Sequence, residues 1–301
     1  MINDRKKIIV VLLSTVLFFT IIFFIYHYYF QGAQKVGQDN YDLATPFISL
    51  QSMFYEPENY NEALRFTENT KPRSDISLLI VPHHLVASKY AAEAFKLASG
   101  REIRQVVVIG PNHENIGRTA IATASVNWQT PTGTLETDRE LVEKLCADFN
   151  LTSAPAAFVN EHSVGALAPF IKYYFPNSQL MPIILDSYTS MKQVEKLSIW
   201  LAENLPPESL VVFSLDFSHY LEKEQAASKD GITRQLILER DLAKIMTLNN
   251  DYVDSPASLA TALSLANFLK LKTEILRNTN SFDLAQKTSE TTSHFVVVFI
   301  Q

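Results

Sequence analysis

From residue 76 onward the chain alternates between short runs that are apolar at every position and longer stretches in which apolar residues recur every three or four places. The first kind reads SLLIV, QVVVI, LMPIIL, SLVVFSL and HFVVVFI. These runs are not interrupted by polar residues at every second position, so each predicts a strand covered on both faces. The second kind predicts helices near 89–99, 138–148, 165–174, 192–203 and 232–248, with another after Pro256. Such alternation implies an α/β layered domain with a mainly parallel sheet flanked by helices. In sheets of that kind, ligands bind beyond the carboxyl ends of the strands.

Upstream the pattern changes. Residues 8–30, IIVVLLSTVLFFTIIFFIYHYYF, hold no formal charge, and a helix of about that length crosses a hydrocarbon layer of ~30 Å. A cleaved signal peptide has a shorter apolar region, about 7–15 residues, closed by a small-residue cleavage site. This run instead ends in Tyr26, His27, Tyr28, Tyr29 and Phe30, rings that settle at a membrane interface. His27 belongs to that belt. Arg5, Lys6 and Lys7 precede the run and only Lys35 follows soon after, so the positive-inside rule sets the N-terminus in the cytoplasm and the main domain outside it. The expected organisation is a cytoplasmic segment 1–7, a single membrane pass 8–30, a polar tether 31–75 merging into the domain edge, and a domain 76–301. Phe54, Tyr55 and Tyr60 argue against full disorder in the tether.

Composition narrows the class. The chain has 301 residues, 47% hydrophobic and 19% charged, enough apolar material for one sizeable core or two smaller ones. The formal net charge is -6 and no lysine- or arginine-rich run occurs, which argues against nucleic acid as a partner. The one cysteine, Cys146, lies in LVEKLCADF, on or near the apolar side of a predicted helix. It reads as a structural thiol.

Three predicted strands deliver histidine at the same edge. SLLIVPHH ends in His83 and His84, VVVIGPNHE in His113 and Glu114, and VVFSLDFSHY in Asp216 and His219. One histidine at a strand end is often only a hydrogen-bonded cap. Three at one edge suggest a cleft in which imidazoles and carboxylates hold a divalent metal or carry protons. A fourth histidine, His162, follows Glu161 and precedes Ser163 before an apolar helix; Ser163 suits the capping role, and His162 is either a cleft residue or structural. His294 opens the last run and is expected at the opposite end, in a structural role.

In order, PHH, IGPNHE, WQTPTGTLETD, NEHSVGALAPF and SLDFSHY resemble the motifs of the Memo-like family, also called AmmeMemoRadiSam system protein B. The resemblance runs from about Val81 to the C-terminus. It implies a fold similar to class III extradiol dioxygenases, which hold non-haem iron(II). It also implies either a metal-binding redox role or recognition of phosphotyrosine-containing peptides, since both are described for members. By motif, the ligand histidines fall on His83 and His113, while His162, Asp216 and His219 fall on other polar positions of the cleft. The chain departs from the family twice: His84, Leu85 and Val86 follow the first histidine where the family has Ala-Gly-Tyr, and Asp254-Ser255 align with its Cys-Gly.

The resulting expectation is a single-pass membrane protein whose extracytoplasmic domain binds a divalent metal, iron(II) foremost, for dioxygenase-like oxidation of a small-molecule or peptide ligand. His83, His113 and Asp254 would be metal ligands, Asp216 and His219 a proton-carrying pair, and His162 a substrate-facing residue. Asp254 has a rival role, because an acid just before a helix with proline in its first turn is an ordinary N-cap signal. A non-catalytic peptide- or anion-binding module and a metal-dependent hydrolase are the alternative functions.

Overall fold

The five apolar runs become strands of one eight-stranded sheet. The computed structural model describes residues 48–52, 57–117, 119–285 and 290–301, within a compact unit spanning Phe47–Gln301. The expected membrane span and the first part of the tether lie outside the described residues, and among those described no helix is long and apolar enough to cross a membrane. In chain order the elements are β1 (Ser49–Gln51), α1 (Pro57–Phe66), β2 (Ile76–Val81), α2 (Ser88–Ala98), β3 (Gln105–Pro111), β4 (Ile121–Thr123), β5 (Asn127–Thr130), β6 (Gly133–Leu135) and α3 (Arg139–Phe149). There follow α4 (His162–Gly165), α5 (Ala168–Tyr174), β7 (Gln179–Leu185), α6 (Met191–Asn204), β8 (Ser209–Ser214), β9 (Phe217–Leu221), α7 (Lys223–Glu239), α8 (Leu242–Ile245), α9 (Pro256–Phe268), β10 (Lys272–Asn280), α10 (Ser281–Ala285) and β11 (Thr291–Ile300).

The large sheet has the order β10-β11-β2-β8-β3-β7-β4, with β9 paired to β11. Strands β2, β8, β3 and β7 are mutually parallel. Strands β4, β9, β10 and β11 join antiparallel, so the expected mainly parallel sheet is corrected to a mixed one with a four-stranded parallel centre. The reason is visible in β10: KTEILRNTN is half exposed, as an edge strand is, and contains no apolar run that would announce it. A separate three-stranded sheet joins β1, β5 and β6.

Alternate residues of the apolar strands divide between two cores. In β2, Leu79 and Val81 enter one buried cluster and Leu78 and Ile80 the other; in β3, Val106 and Val108 oppose Val107 and Ile109; in β8, Leu210 and Val212 oppose Val211 and Phe213. A strand buried on both faces has no reason to alternate in polarity. The first core also takes in Tyr60 and Ala63 of α1, so the stretch read as a domain edge supplies a helix that covers the sheet. The helix expected over 232–248 is broken. α7 ends where Arg240 turns left-handed at φ 55, and Asp241 then caps α8 by accepting a hydrogen bond from the Lys244 amide. The apolar spacing continues across that break, which is why it reads as one helix.

Ala63 has no solvent exposure, whereas Glu62 beside it faces water. Ala63→Glu is expected to cost about 3 kcal/mol or more, because it buries a charge without a partner, while Glu62→Ala stays within about 0.5 kcal/mol. Urea denaturation midpoints of the two variants check this. Equal midpoints would mean that α1 does not seal the core.

Candidate metal centre

Parallel pairing of β2, β8 and β3 sets their carboxyl ends on one edge of the sheet. Beyond β2 come His83 and His84, beyond β3 comes His113, and beyond β8 comes Asp216. A cavity of about 760 Å³ opens there, and His83, His113, His162, Asp216, His219 and Asp254 all line it. Glu114 is exposed and does not line it. The strand-end reading therefore brings together the residues singled out for chemistry, except this acid.

His83 stands at the centre. Its Nε2 lies 3.2 Å from Asp216 Oδ2 and 3.5 Å from Asp254 Oδ2, and its Nδ1 lies 3.0 Å from Ser214 Oγ. Burial pushes its pKa down to about 3, with Asp216 opposing and His113 and His162 assisting. The ring is thus neutral; its Nε2 faces the Asp216 carboxylate, and its Nδ1 shares a hydrogen bond with the Ser214 hydroxyl. Burial also works to protonate Asp216, but His83, His294 and His84 outweigh it and hold the carboxyl well below its usual range. Asp254 moves the other way. Burial, then the Asp216 charge, push its pKa well above the ordinary carboxyl value. Two acids at one imidazole accordingly keep a proton between them.

A second carboxylate organises the other side. Glu161 Oε1 accepts from His113 Nδ1 at 2.8 Å, and Oε2 accepts from the His113 backbone amide at 2.9 Å. Oε1 also accepts from the Ser163 amide at 2.8 Å, so Glu161 is the N-cap of α4 and the capping role expected of Ser163 is corrected. Burial opposes ionisation of Glu161, yet the bonds from His113, Ser163 and the backbone bring its pKa down to about 2. With Nδ1–H given to Glu161, His113 keeps the lone pair on Nε2, as histidine ligands do when a carboxylate orients them. Its ring stacks on His162, centroids 3.9 Å apart, and both rings stand edge-on to His83 at 5.2 and 5.0 Å. His162 is thereby placed in the cleft.

His83, His113 and His162 each offer a ligand atom, all within 4.8 Å of one another, and His83, Asp216 and Asp254 form a second such group. The expected set of His83, His113 and Asp254 is not one of the two: His113 and Asp254 fall in different groups that share His83. The donors suit a divalent metal ion. Imidazole nitrogens, carboxylate oxygens and a buried Asp254 Oδ1 without a hydrogen-bond partner are what such an ion uses. No thiol lines the cavity; Cys146 packs against the second core, where burial raises its pKa.

Three readings are changed by the fold. Asp254 is not the cap of α9, because Ser255 Oγ accepts from the Ser258 amide instead, and Asp254 Oδ2 accepts from the Asp216 amide at 2.9 Å. Asp216 and His219 make no hydrogen bond; Asp216 is held by His83 and by His294 Nδ1 at 3.1 Å, while His219 lines the cavity separately. His294 is not at the opposite end. β11 runs antiparallel to β2, so its start meets the end of β2. The available signal was one imidazole just before the apolar run of the last strand, and only strand direction gives it meaning.

The model of the family described as Memo-like protein matches residues 52–298. This chain belongs to the Memo-like family. It is similar to a MEMO1 family protein of Caldivirga maquilingensis, 29% identical over 246 residues that cover 77% of this chain and 86% of that protein. A MEMO1 family protein of Pyrobaculum aerophilum is 26% identical over 230 residues, 73% of this chain and 82% of that protein. The crystal structure of an uncharacterized protein, JW3007 from Escherichia coli K12, matches the fold with a TM-score of 0.50 at 12% identity, covering 75% of this chain and all of that one. Within the Memo-like resemblance, the position of the family cysteine carries Asp254, whose carboxyl faces His83.

The seating of α4 on β3 depends on Gly110, where an added Cβ would lie 2.6 Å from both Cβ and Oγ of Ser163. Gly110→Ala is expected to cost about 1–3 kcal/mol through overpacking, and Gly110→Ala with Ser163→Gly should recover part of that. Thermal unfolding of the three proteins tests it. A single variant as stable as wild type would show that α4 is free to move away.

Proposed function

We propose that this Memo-like domain is a metalloprotein that holds one divalent ion, iron(II) foremost, for oxidative chemistry on a small molecule bound in the same cavity. The observation that carries this reading is the convergence of three imidazoles from three different segments, with ligand atoms within 4.8 Å of one another, around a His83 that burial keeps neutral. His83 and His113 would be the principal ligands, His162 the third nitrogen of their group, and Asp254 the nearest oxygen donor. The bound ion would supply redox capacity and Lewis acidity. Around it, Glu161 orients His113, Asp216 Oδ2 accepts a proton or a hydrogen bond at His83, and His219 faces the substrate from the cavity wall.

Anaerobic loading with iron(II), followed by metal analysis and oxygen uptake, tests the reading. Wild type is expected to retain the ion, with His83→Ala and His113→Ala losing it and Asp254→Ala holding it about 10- to 100-fold more weakly. Wild type without metal would overturn the reading in favour of a non-catalytic binding module, to which the missing family thiol lends support. Metal without oxygen uptake would favour hydrolysis.

The apolar run at 8–30, preceded by Arg5, Lys6 and Lys7, supports a further part of the proposal: a single-pass anchor with this domain outside the cytoplasm. Protease added to intact cells should remove the domain and leave a small membrane stub. Full protection would sink that topology.

A further inference from the structure

β11 is apolar and buried from Phe295 to Ile300, yet the residue directly before that run is a histidine only 1% exposed. His294 Nδ1 lies 3.1 Å from Asp216 Oδ1, and its Nε2 is buried with no hydrogen-bond partner. A buried ring nitrogen without a partner costs stability. An apolar residue like those that follow would avoid that cost, so the one bond His294 makes to Asp216 needs a reason.

The geometry of Asp216 offers one. Its two oxygens serve different imidazoles, Oδ1 the ring of His294 and Oδ2 the ring of His83. An ionised carboxylate only accepts, so His294 donates its Nδ1–H to Oδ1, while Oδ2 faces His83 Nε2 at 3.2 Å. With Oδ1 held from the last strand, Oδ2 has one orientation left, and that orientation faces His83 and the cavity. The Asp216 amide, bonded to Asp254 Oδ2, fixes the backbone at the same point.

We propose that His294 is a positioning residue of the metal centre: by holding Oδ1 of Asp216 it aims Oδ2 into the site, towards His83 Nε2. This goes beyond the ligand set and rests on the metal reading only for the affinity measurement below. His294 itself does not line the cavity.

The test is a double-mutant cycle on the full chain, reading cobalt(II) affinity by competition with a chromophoric chelator. His294→Leu should weaken binding by about tenfold or more, the scale of lost orienting partners. His294→Asn, whose amide N–H takes the place of Nδ1–H, should restore most of the affinity. Asp216→Asn combined with His294→Leu should bind no more weakly than Asp216→Asn alone, because His294 then has nothing to orient. His294→Phe, which keeps the ring volume, is run beside the leucine variant so that failure of one to fold does not end the experiment. Wild-type affinity in a folded leucine or phenylalanine variant, or additive losses in the cycle, would overturn the proposal. If wild type binds no cobalt(II), the metal reading fails, and the ¹⁵N chemical shifts of His83 decide the inference on the metal-free chain. His83 shifts that change in His294→Leu and return in His294→Asn support it, and unchanged shifts overturn it.

Discussion

An ionised carboxylate, that of Asp216, sits with 4% side-chain exposure at the edge of a sheet packed on both faces. Isolated burial of such a charge costs several kcal/mol even after relaxation, so the fold must surround it with donors. His294 on β11 donates to Oδ1 and His83 beyond β2 faces Oδ2, while the Asp216 amide, donating to Asp254 Oδ2, fixes the backbone beneath them. The backbone contact is reciprocal: the Asp254 amide donates to the Asp216 carbonyl at 3.0 Å. Four segments that are far apart in sequence are thereby required to meet at one point. If β11 moved, the carboxylate would lose the hydrogen bond from His294.

The other half of the cleft obeys a similar constraint with a different outcome. Glu161 is also buried, but its partners come from one neighbouring loop and from the start of its own helix. That arrangement both caps α4 and turns His113, and it brings His162 into stacking contact. Gly110 makes it possible by leaving room for Ser163, whose hydroxyl donates to the Pro111 carbonyl at 3.1 Å. A helix of one turn is weak by itself. Here it is held by side-chain bonds to the strand beneath it, which explains how so short an element positions two imidazoles.

The two halves share His83, which belongs to both candidate ligand groups. Its neutrality follows from burial, not from its partners, since Asp216 acts to raise its pKa and is outweighed. A neutral imidazole has a ring-nitrogen lone pair to offer a metal ion, whereas a charged one must lose a proton first. A carboxyl at Asp254 fits this environment: burial and the neighbouring Asp216 charge raise its pKa, just before the apolar helix that follows it.

Much of this was legible in the amino-acid pattern. Continuous apolar runs announced the central strands, because a strand covered on both faces needs no polar positions, and the residues just past them marked one edge as the site. His83, His113, Asp216 and His219 were found that way, and the ordered motifs added the family. What the pattern could not carry was direction and partnership. β10 is half exposed and has no apolar run, so the antiparallel flank was invisible, and with it the reversal that brings His294 to the site. Serine and aspartate before a helix both satisfy local capping rules; only the packing of α9 against the end of β8 gives the cap to Ser255 and turns Asp254 towards His83. Local periodicity determined which residues are buried. Long-range pairing decided which of them share a proton, because hydrogen bonds between distant strands depend on register and direction, and neither is written in the spacing of apolar residues.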